Sequence, residues 1–463
     1  MTRWLTLTLT VVALGGASVA VSYPVTHAAT RPAAKPTPTS SPSPASPTPS
    51  EVLAATAPAS GLATATPPVP NAAAVTATVE KLTKAPDLGG RLLARVIDVA
   101  TGTVLYDKHG DTQGTPASIS KLLTASAVLS VYPPSHRFTT TAVAGANGAV
   151  VLVGGGDPTL TAAAPGDEPD YADAGRLSDI AKQIKAAGVS PTEIVVDGSL
   201  FPGPSVNPLW DPGDMGTSYG APITALMVDG GRALPADFAR TASPDIAAGQ
   251  ALARLLGQPG LPVEEGTAPA GAKQLGSVAS APLATIVGQM LVNSDNILAD
   301  VLSHDVAVGD SRPASFAGAV AATREVLATK GVDVGTGMHD GSGLADADKV
   351  SPAALTAVLR LIATDTTGPT AAVTGLPIGG LSGTLANRYR PGTVGAPALG
   401  DVRAKTGTLT IVTSLAGFVH DKDGQLLAFA LISDDVPPGV TATRAAERAQ
   451  DAIATALSQC GCS

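Results

Sequence analysis

Ser118 and Lys121 stand three residues apart in Pro116-Ala117-Ser118-Ile119-Ser120-Lys121-Leu122-Leu123. Around them Ile119, Leu122, Leu123, Ala125, Val128 and Leu129 cover almost the whole circumference, which predicts a buried helix. Pro116 suits the turn that leads in. Ser118 then falls at the positive end of the helix dipole, with Lys121 one turn on along the same face. A serine hydroxyl attacks poorly until a base removes its proton. A partly desolvated lysine can lose its own proton and become that base. The pair therefore reads as nucleophile and general base, although S-x-x-K alone also describes ordinary helix faces.

Two further stretches carry matching chemistry. Asn293-Ser294-Asp295-Asn296 connects helical runs at 282–292 and 297–307. Ser294 and Asn296, two positions apart, can face one cleft, while Asp295 reads as structural. Serine and asparagine at such a junction also serve as helix caps. Lys405-Thr406-Gly407-Thr408 precedes a strand-like run at 411–420, a hairpin turn at Asp421-Lys422-Asp423-Gly424, a strand at 425–433 and a helix at 440–458. Ala446, Ala449, Ile453, Ala456 and Leu457 form the apolar stripe of that helix.

The elements that must position these residues come from both ends of the chain. A helix is expected at 72–84, a strand at 92–98, a turn at Ala100-Thr101-Gly102 and a returning strand at 103–107. With the strands that follow Asp401 they predict one five-stranded antiparallel sheet, with helices from both termini packed on it. Between 137 and 281 the character changes. Short β-like runs (138–143, 149–153, 193–197) alternate with Gly/Pro-rich turns. One helix is expected near 171–187, and another after Ser243-Pro244. This stretch reads as an inserted, mainly β domain. Gly154-Gly155-Gly156-Asp157 lacks the Gly-Lys-Ser/Thr of a phosphate loop and reads as a turn.

Composition narrows the class. A net charge of −9 and no basic stripe argue against nucleic-acid binding. Six scattered histidines and no C-x-x-C or H-x-x-x-H spacing leave no metal site, and no cofactor is expected. An uncharged run from Trp4 to Tyr23 follows Arg3, so residues 1–27 read as a signal peptide or membrane anchor. Residues 28–70, rich in Pro, Ala, Ser and Thr, read as an extended linker. The protein is expected to be exported to the cell envelope, secreted or N-terminally anchored. Cys460 and Cys462, in the tail 460–463, are expected to pair, as cysteines of exported proteins do.

S-x-x-K, S-D-N and K-T-G in this order are the signature of the penicillin-recognising serine enzymes. The flanks sharpen the match: Gly154-Gly-Gly-Asp-Pro-Thr-Leu160, Asn293-Ser-Asp-Asn-Ile-Leu298, Asp340-Gly-Ser-Gly-Leu344, Leu376-Pro-Ile-Gly-Gly380 and Ser382-Gly-Thr-Leu385. From about Arg91 onward the chain resembles the low-molecular-mass, class C penicillin-binding proteins. These are D-alanyl-D-alanine carboxypeptidases and endopeptidases with a large insertion between the first two motifs. Here 176 positions separate Ser118 from Ser294.

The resemblance implies an α/β (α+β) fold of the β-lactamase/transpeptidase type. Its catalytic domain would be discontinuous, 71–136 and 282–459, around the insertion 137–281. It also implies Ser118, Lys121 and Ser294 as catalytic residues. Asn296, Lys405, Thr406, Gly407 and Thr408 would bind substrate, with the amides of Ser118 and Thr408 forming the oxyanion hole. The implied substrate is a peptidoglycan stem peptide ending in D-Ala-D-Ala, and β-lactams would acylate the same serine. Two alternatives stand beside it. A β-lactamase would need a deacylating glutamate, and only Glu325 lies between Ser294 and Lys405, in an exposed helical setting. A non-catalytic wall-binding scaffold would not need the intact motifs.

Overall fold

Leu426–Ser433 is apolar at every position but its last, the pattern of a strand covered on both faces. In the computed structural model, which describes residues 69–232 and 238–462, it is the central strand of the main sheet. The expected signal or anchor, and the linker up to residue 68, lie outside the described residues. In chain order the strands of this sheet are β1 (Leu92–Asp98), β2 (Val104–Lys108), β8 (Arg403–Leu409), β9 (Val412–His420) and β10 (Leu426–Ser433). Their order is β2-β1-β10-β9-β8, all antiparallel, as expected.

The two faces divide by residue parity. Leu427, Phe429 and Leu431 pack with Val75 and Val79 of helix α1 (Ala72–Val79) and with Ile453, Ala454 and Leu457 of α9 (Val440–Ser458). Ala428, Ala430 and Ile432 face the opposite layer, with Ala416 and Phe418. There helix α8 (Pro352–Thr364) packs on the sheet and shares one apolar core with α2 (Lys121–Val131), α5 (Leu283–Asn293) and α6 (Asn296–Gly309). The alanines on that face let the helices approach closely. Full burial of a side chain such as Phe429 contributes about 1.5–3 kcal/mol. Cys460 and Cys462 are paired and buried beside α9.

The stretch after Arg137 builds a second sheet, of order β6-β5-β4-β3-β7. Its strands are β3 (Thr139–Ala144), β4 (Val150–Val153), β5 (Ile194–Asp197), β6 (Val263–Glu265) and β7 (Gln274–Ala279). Pairing is antiparallel for β3 with β4 and β7, and parallel for β4–β5–β6. Helices α3 (Leu177–Ala186) and α4 (Pro244–Leu256) share its apolar core. The expected helix start at 171 is displaced to 177. Tyr171 instead belongs to an irregular segment whose Asp173 adopts a left-handed φ of 57°. The Gly154–Asp157 stretch, expected as a turn, instead runs on from β4 to a bridge between Asp157 and Leu226, and the turn follows at Pro158-Thr159; Asp157 is buried and accepts from Thr159. Helix α7 (Phe316–Thr329) completes the α-helices among the described residues. No helix among the described residues is long and apolar enough to cross a membrane.

Candidate active site

Ser118 lies one turn ahead of the α-helix in which the sequence places it. Ala117–Ser120 forms a 3₁₀ turn, and α2 begins at Lys121. Ala117 carries a left-handed φ of 50°, which breaks continuity with the preceding chain. In a 3₁₀ turn, side chains at i and i+3 eclipse. That geometry sets Lys121 Nζ 3.0 Å from Ser118 Oγ.

Lys121 has no exposed surface. Its ammonium also donates to Asn296 Oδ1 at 2.6 Å and to the Ser342 carbonyl at 2.8 Å. Burial pulls its pKa down to about 8, against the opposing pull of Asp300, Asp340, Asp295 and Asp348. Lys405, also without exposed surface, donates to Ser294 Oγ and to the Thr406 carbonyl, both at 2.8 Å. Its pKa is driven well below the ordinary lysine range by burial and then by the charge of Lys121. The site thus holds two lysine–serine pairs.

All eight residues expected at the site gather here. Ser118, Ser294, Asn296, Thr406 and Thr408 line a cleft of about 600 Å³. Thr406 Oγ1 donates to Thr384 Oγ1 at 2.7 Å on its wall. Lys405 lies beneath that wall and reaches the cleft through Ser294. Gly407 is buried, and its bareness is steric. A Cβ there would stand 2.7 Å from the Pro116 carbonyl oxygen and 2.9 Å from the Ser118 amide nitrogen. Strand β8 therefore presses directly on the nucleophile's turn.

Other residues at the cleft carry no motif. Tyr219, Asp211 and Asp214 come from the 137–281 stretch and line its mouth together with Asp346. Burial and the charges of Asp211 and Asp346 raise the Asp214 pKa. The Tyr219 carbonyl accepts Asn296 Nδ2 at 3.1 Å, so Asn296 is held from both ends. Behind Lys121, Asp340 accepts the amides of Ser342, Gly343 and Ala345, and Trp210 Nε1 at 2.7 Å. This carboxylate shapes the loop that turns the Ser342 carbonyl onto Lys121. Of the residues outside the three motifs, those of Asp340-Gly-Ser-Gly-Leu344, and Thr384 in Ser382-Gly-Thr-Leu385, had a signal in the sequence, as flanks of the family resemblance.

The family model for D-Ala-D-Ala carboxypeptidase 3 (S13) matches residues 75–237 and 233–459. The chain belongs to this family. A carboxypeptidase of Mycobacterium tuberculosis is 41% identical over 400 residues, covering 85% of each chain. Carboxypeptidase DacB of Mycolicibacterium smegmatis is 39% identical over 385 residues, 81% of this chain and 82% of its own. Among solved structures, penicillin binding protein 4 of Haemophilus influenzae superposes with a TM-score of 0.67 at 23% identity, covering 82% of this chain and 97% of that one, and shares the fold. The chain is a serine-type D-alanyl-D-alanine carboxypeptidase that acts on peptidoglycan.

Proposed function

We propose that Ser118 Oγ attacks the carbonyl of the penultimate D-alanine of a stem peptide while Lys121 takes its proton. The C–N bond breaks, Ser294 hands a proton to the departing amine, and water then hydrolyses the ester on Ser118. The observation that carries this reading is the 3.0 Å approach of Lys121 Nζ to Ser118 Oγ, with Lys121 buried and its pKa pulled down to about 8. Asn296 orients Lys121 and the peptide. The Thr406 and Thr408 hydroxyls receive the terminal carboxylate, within the field of Lys405. The amides of Ser118 and Thr408 form the oxyanion hole, in which one donor is worth about 10²–10³ in rate.

A leaving amine from a neighbouring stem would depart by the same steps, so cross-link cleavage belongs to this proposal. So do acylation by β-lactams, an extracytoplasmic location, and attachment or export through residues 1–27. The stretch 137–281 is read as an inserted domain. No observation favours a β-lactamase: Glu325 lies on α7, 59% exposed and paired with Arg312, and does not line the cleft.

The test is mass spectrometry of purified wall fragments incubated with the parent protein and with Ser118→Ala, beside a labelled-penicillin gel. Parent protein should release D-alanine and take the label, and Ser118→Ala should do neither. A folded Ser118→Ala that still labels removes Ser118 from the mechanism, and an unlabelled parent favours the scaffold reading.

A further inference from the structure

Asp295, the middle residue of the S-D-N stretch, accepts bonds in two directions. Its Oδ1 accepts the amides of Ile297 at 2.9 Å and Leu298 at 3.2 Å, capping α6. Its Oδ2 takes the Tyr171 hydroxyl at 2.8 Å and Arg240 Nη2 at 3.2 Å. Both partners come from the 137–281 stretch and both are buried. Arg240 is fixed in turn by the Gly230 carbonyl at 2.6 Å. A Cβ on Gly230 would stand 2.3 Å from the Tyr171 hydroxyl and 2.6 Å from Arg240 Nη1. The backbone is bare where the pair closes on Asp295.

One residue earlier, Ser294 sits in the left-handed region, at φ 58° and ψ 37°. A residue with a side chain stays there only when its surroundings over-determine it. The amides of Ser294 and Asp295 both close α5 on the Met290 carbonyl. In this conformation Ser294 Oγ meets Lys405 Nζ. Rotation of the backbone toward ordinary φ would carry the hydroxyl out of the cleft.

We propose that Arg240 and Tyr171, gripping Asp295, are positioning residues for Ser294, holding it where it gives its proton to the leaving amine. This rests on the role assigned to Ser294 above. An amine needs that proton to depart, whereas a thiolate leaves without it. Displacement of Ser294 therefore penalises a peptide more than a thiolester with the same acyl group. A general loss of structure penalises both alike.

The experiment compares kcat/KM on an acylated D-Ala-D-Ala peptide and on the matching thiolester, using the full chain. The variants are Arg240→Gln, Tyr171→Phe, Asp295→Asn and Ser294→Ala; asparagine still caps α6. Peptide hydrolysis in Arg240→Gln should fall about tenfold to a hundredfold, a part of the about 10²–10⁴ that a positioned proton donor contributes, and thiolester hydrolysis by less than about threefold. Combining Arg240→Gln with Asp295→Asn should add little to either alone. Equal loss on both substrates, or no loss, overturns the proposal. Should Arg240→Gln fail to fold, Tyr171→Phe, which deletes one hydroxyl, decides by the same ratio. If Ser294→Ala is selective and the Arg240 and Tyr171 variants are not, the grip on Asp295 is overturned alone. If Ser294→Ala loses both substrates equally, its role as proton donor falls, and the proposal with it.

Discussion

Two lysines without exposed surface stand beneath the cleft, and their charges interact. Burial disfavours both ammonium forms, and four aspartates partly restore that of Lys121, leaving it near 8. Below that pH Lys121 is protonated and cannot take the Ser118 proton; above it the free amine can. The rate of Ser118 acylation by labelled penicillin should therefore rise about tenfold per pH unit up to about pH 8 and then level off. A flat profile would remove Lys121 as the base. Burial and the Lys121 charge push Lys405 well below the ordinary lysine range, and an arriving carboxylate would favour its charged form again. A charge-assisted hydrogen bond or its equivalent is worth about 1.5–3 kcal/mol. Lys405→Ala should thus lower kcat/KM at least about tenfold on a peptide ending in free D-alanine, and less on its terminal amide. Equal effects on acid and amide would end the carboxylate role.

Between elements, the decisive contact is strand β8 against the Ser118 turn. The atoms that a Gly407 Cβ would meet at 2.7 and 2.9 Å are backbone atoms, which cannot swing aside. Gly407→Ala should separate strand and turn and reduce acylation by about 10², the effect of a misplacement near 1 Å. Kinetics with labelled penicillin check this, with thermal melts confirming the fold; parent-like acylation would show that the contact can yield. The sequence made β1, β9 and β10 legible because they are largely apolar runs closed by turn residues: β1 has the expected bounds, and β9 and β10 lie within a residue of theirs. The residues of the three motifs, far apart in the chain, come together around one cleft. Strands β6 and β7 escaped because Val263-Glu264-Glu265 and Gln274–Ala279 show no apolar alternation. Over a single turn, hydrophobic spacing also cannot separate 3₁₀ from α, so Ser118 was placed on the wrong kind of turn. Trp210 with Asp340 and Tyr171 with Asp295 are bonds across 130 and 124 residues, and no local pattern records such a partner.

Across the whole molecule, Asp157, which follows β4, and Asp305 on α6 are buried carboxyls whose charges act on each other. Burial raises Asp157 to about 6, and burial together with the Asp157 charge raises Asp305 well above the carboxylate range. Both folded pKa values exceed the unfolded ones. Their stabilising contribution is complete below about pH 4 and is lost as pH rises through the folded values, by up to roughly 3 kcal/mol for Asp157. Asp157→Asn, which can still accept from Thr159, should be less pH-sensitive between about pH 4 and 7 and melt higher than the parent at neutral pH. Melting curves across that range check it. An unchanged slope would mean that the pair is already relieved by solvent.

The pairing of Leu92 with Ser433, which joins β1 to β10, also sets a timetable. The ribosome makes Ser118 early and Lys405 late, and the central strand β10 follows both. A growing chain therefore carries its nucleophile for most of its synthesis without β8, without Lys405 and without a cleft. Long-range closure of this kind is slow, because the loop must be drawn in before any contact rewards it. Fragments cut short before residue 426 should be inert, however intact their serine. The hydrolase becomes competent only as its last strands join the first.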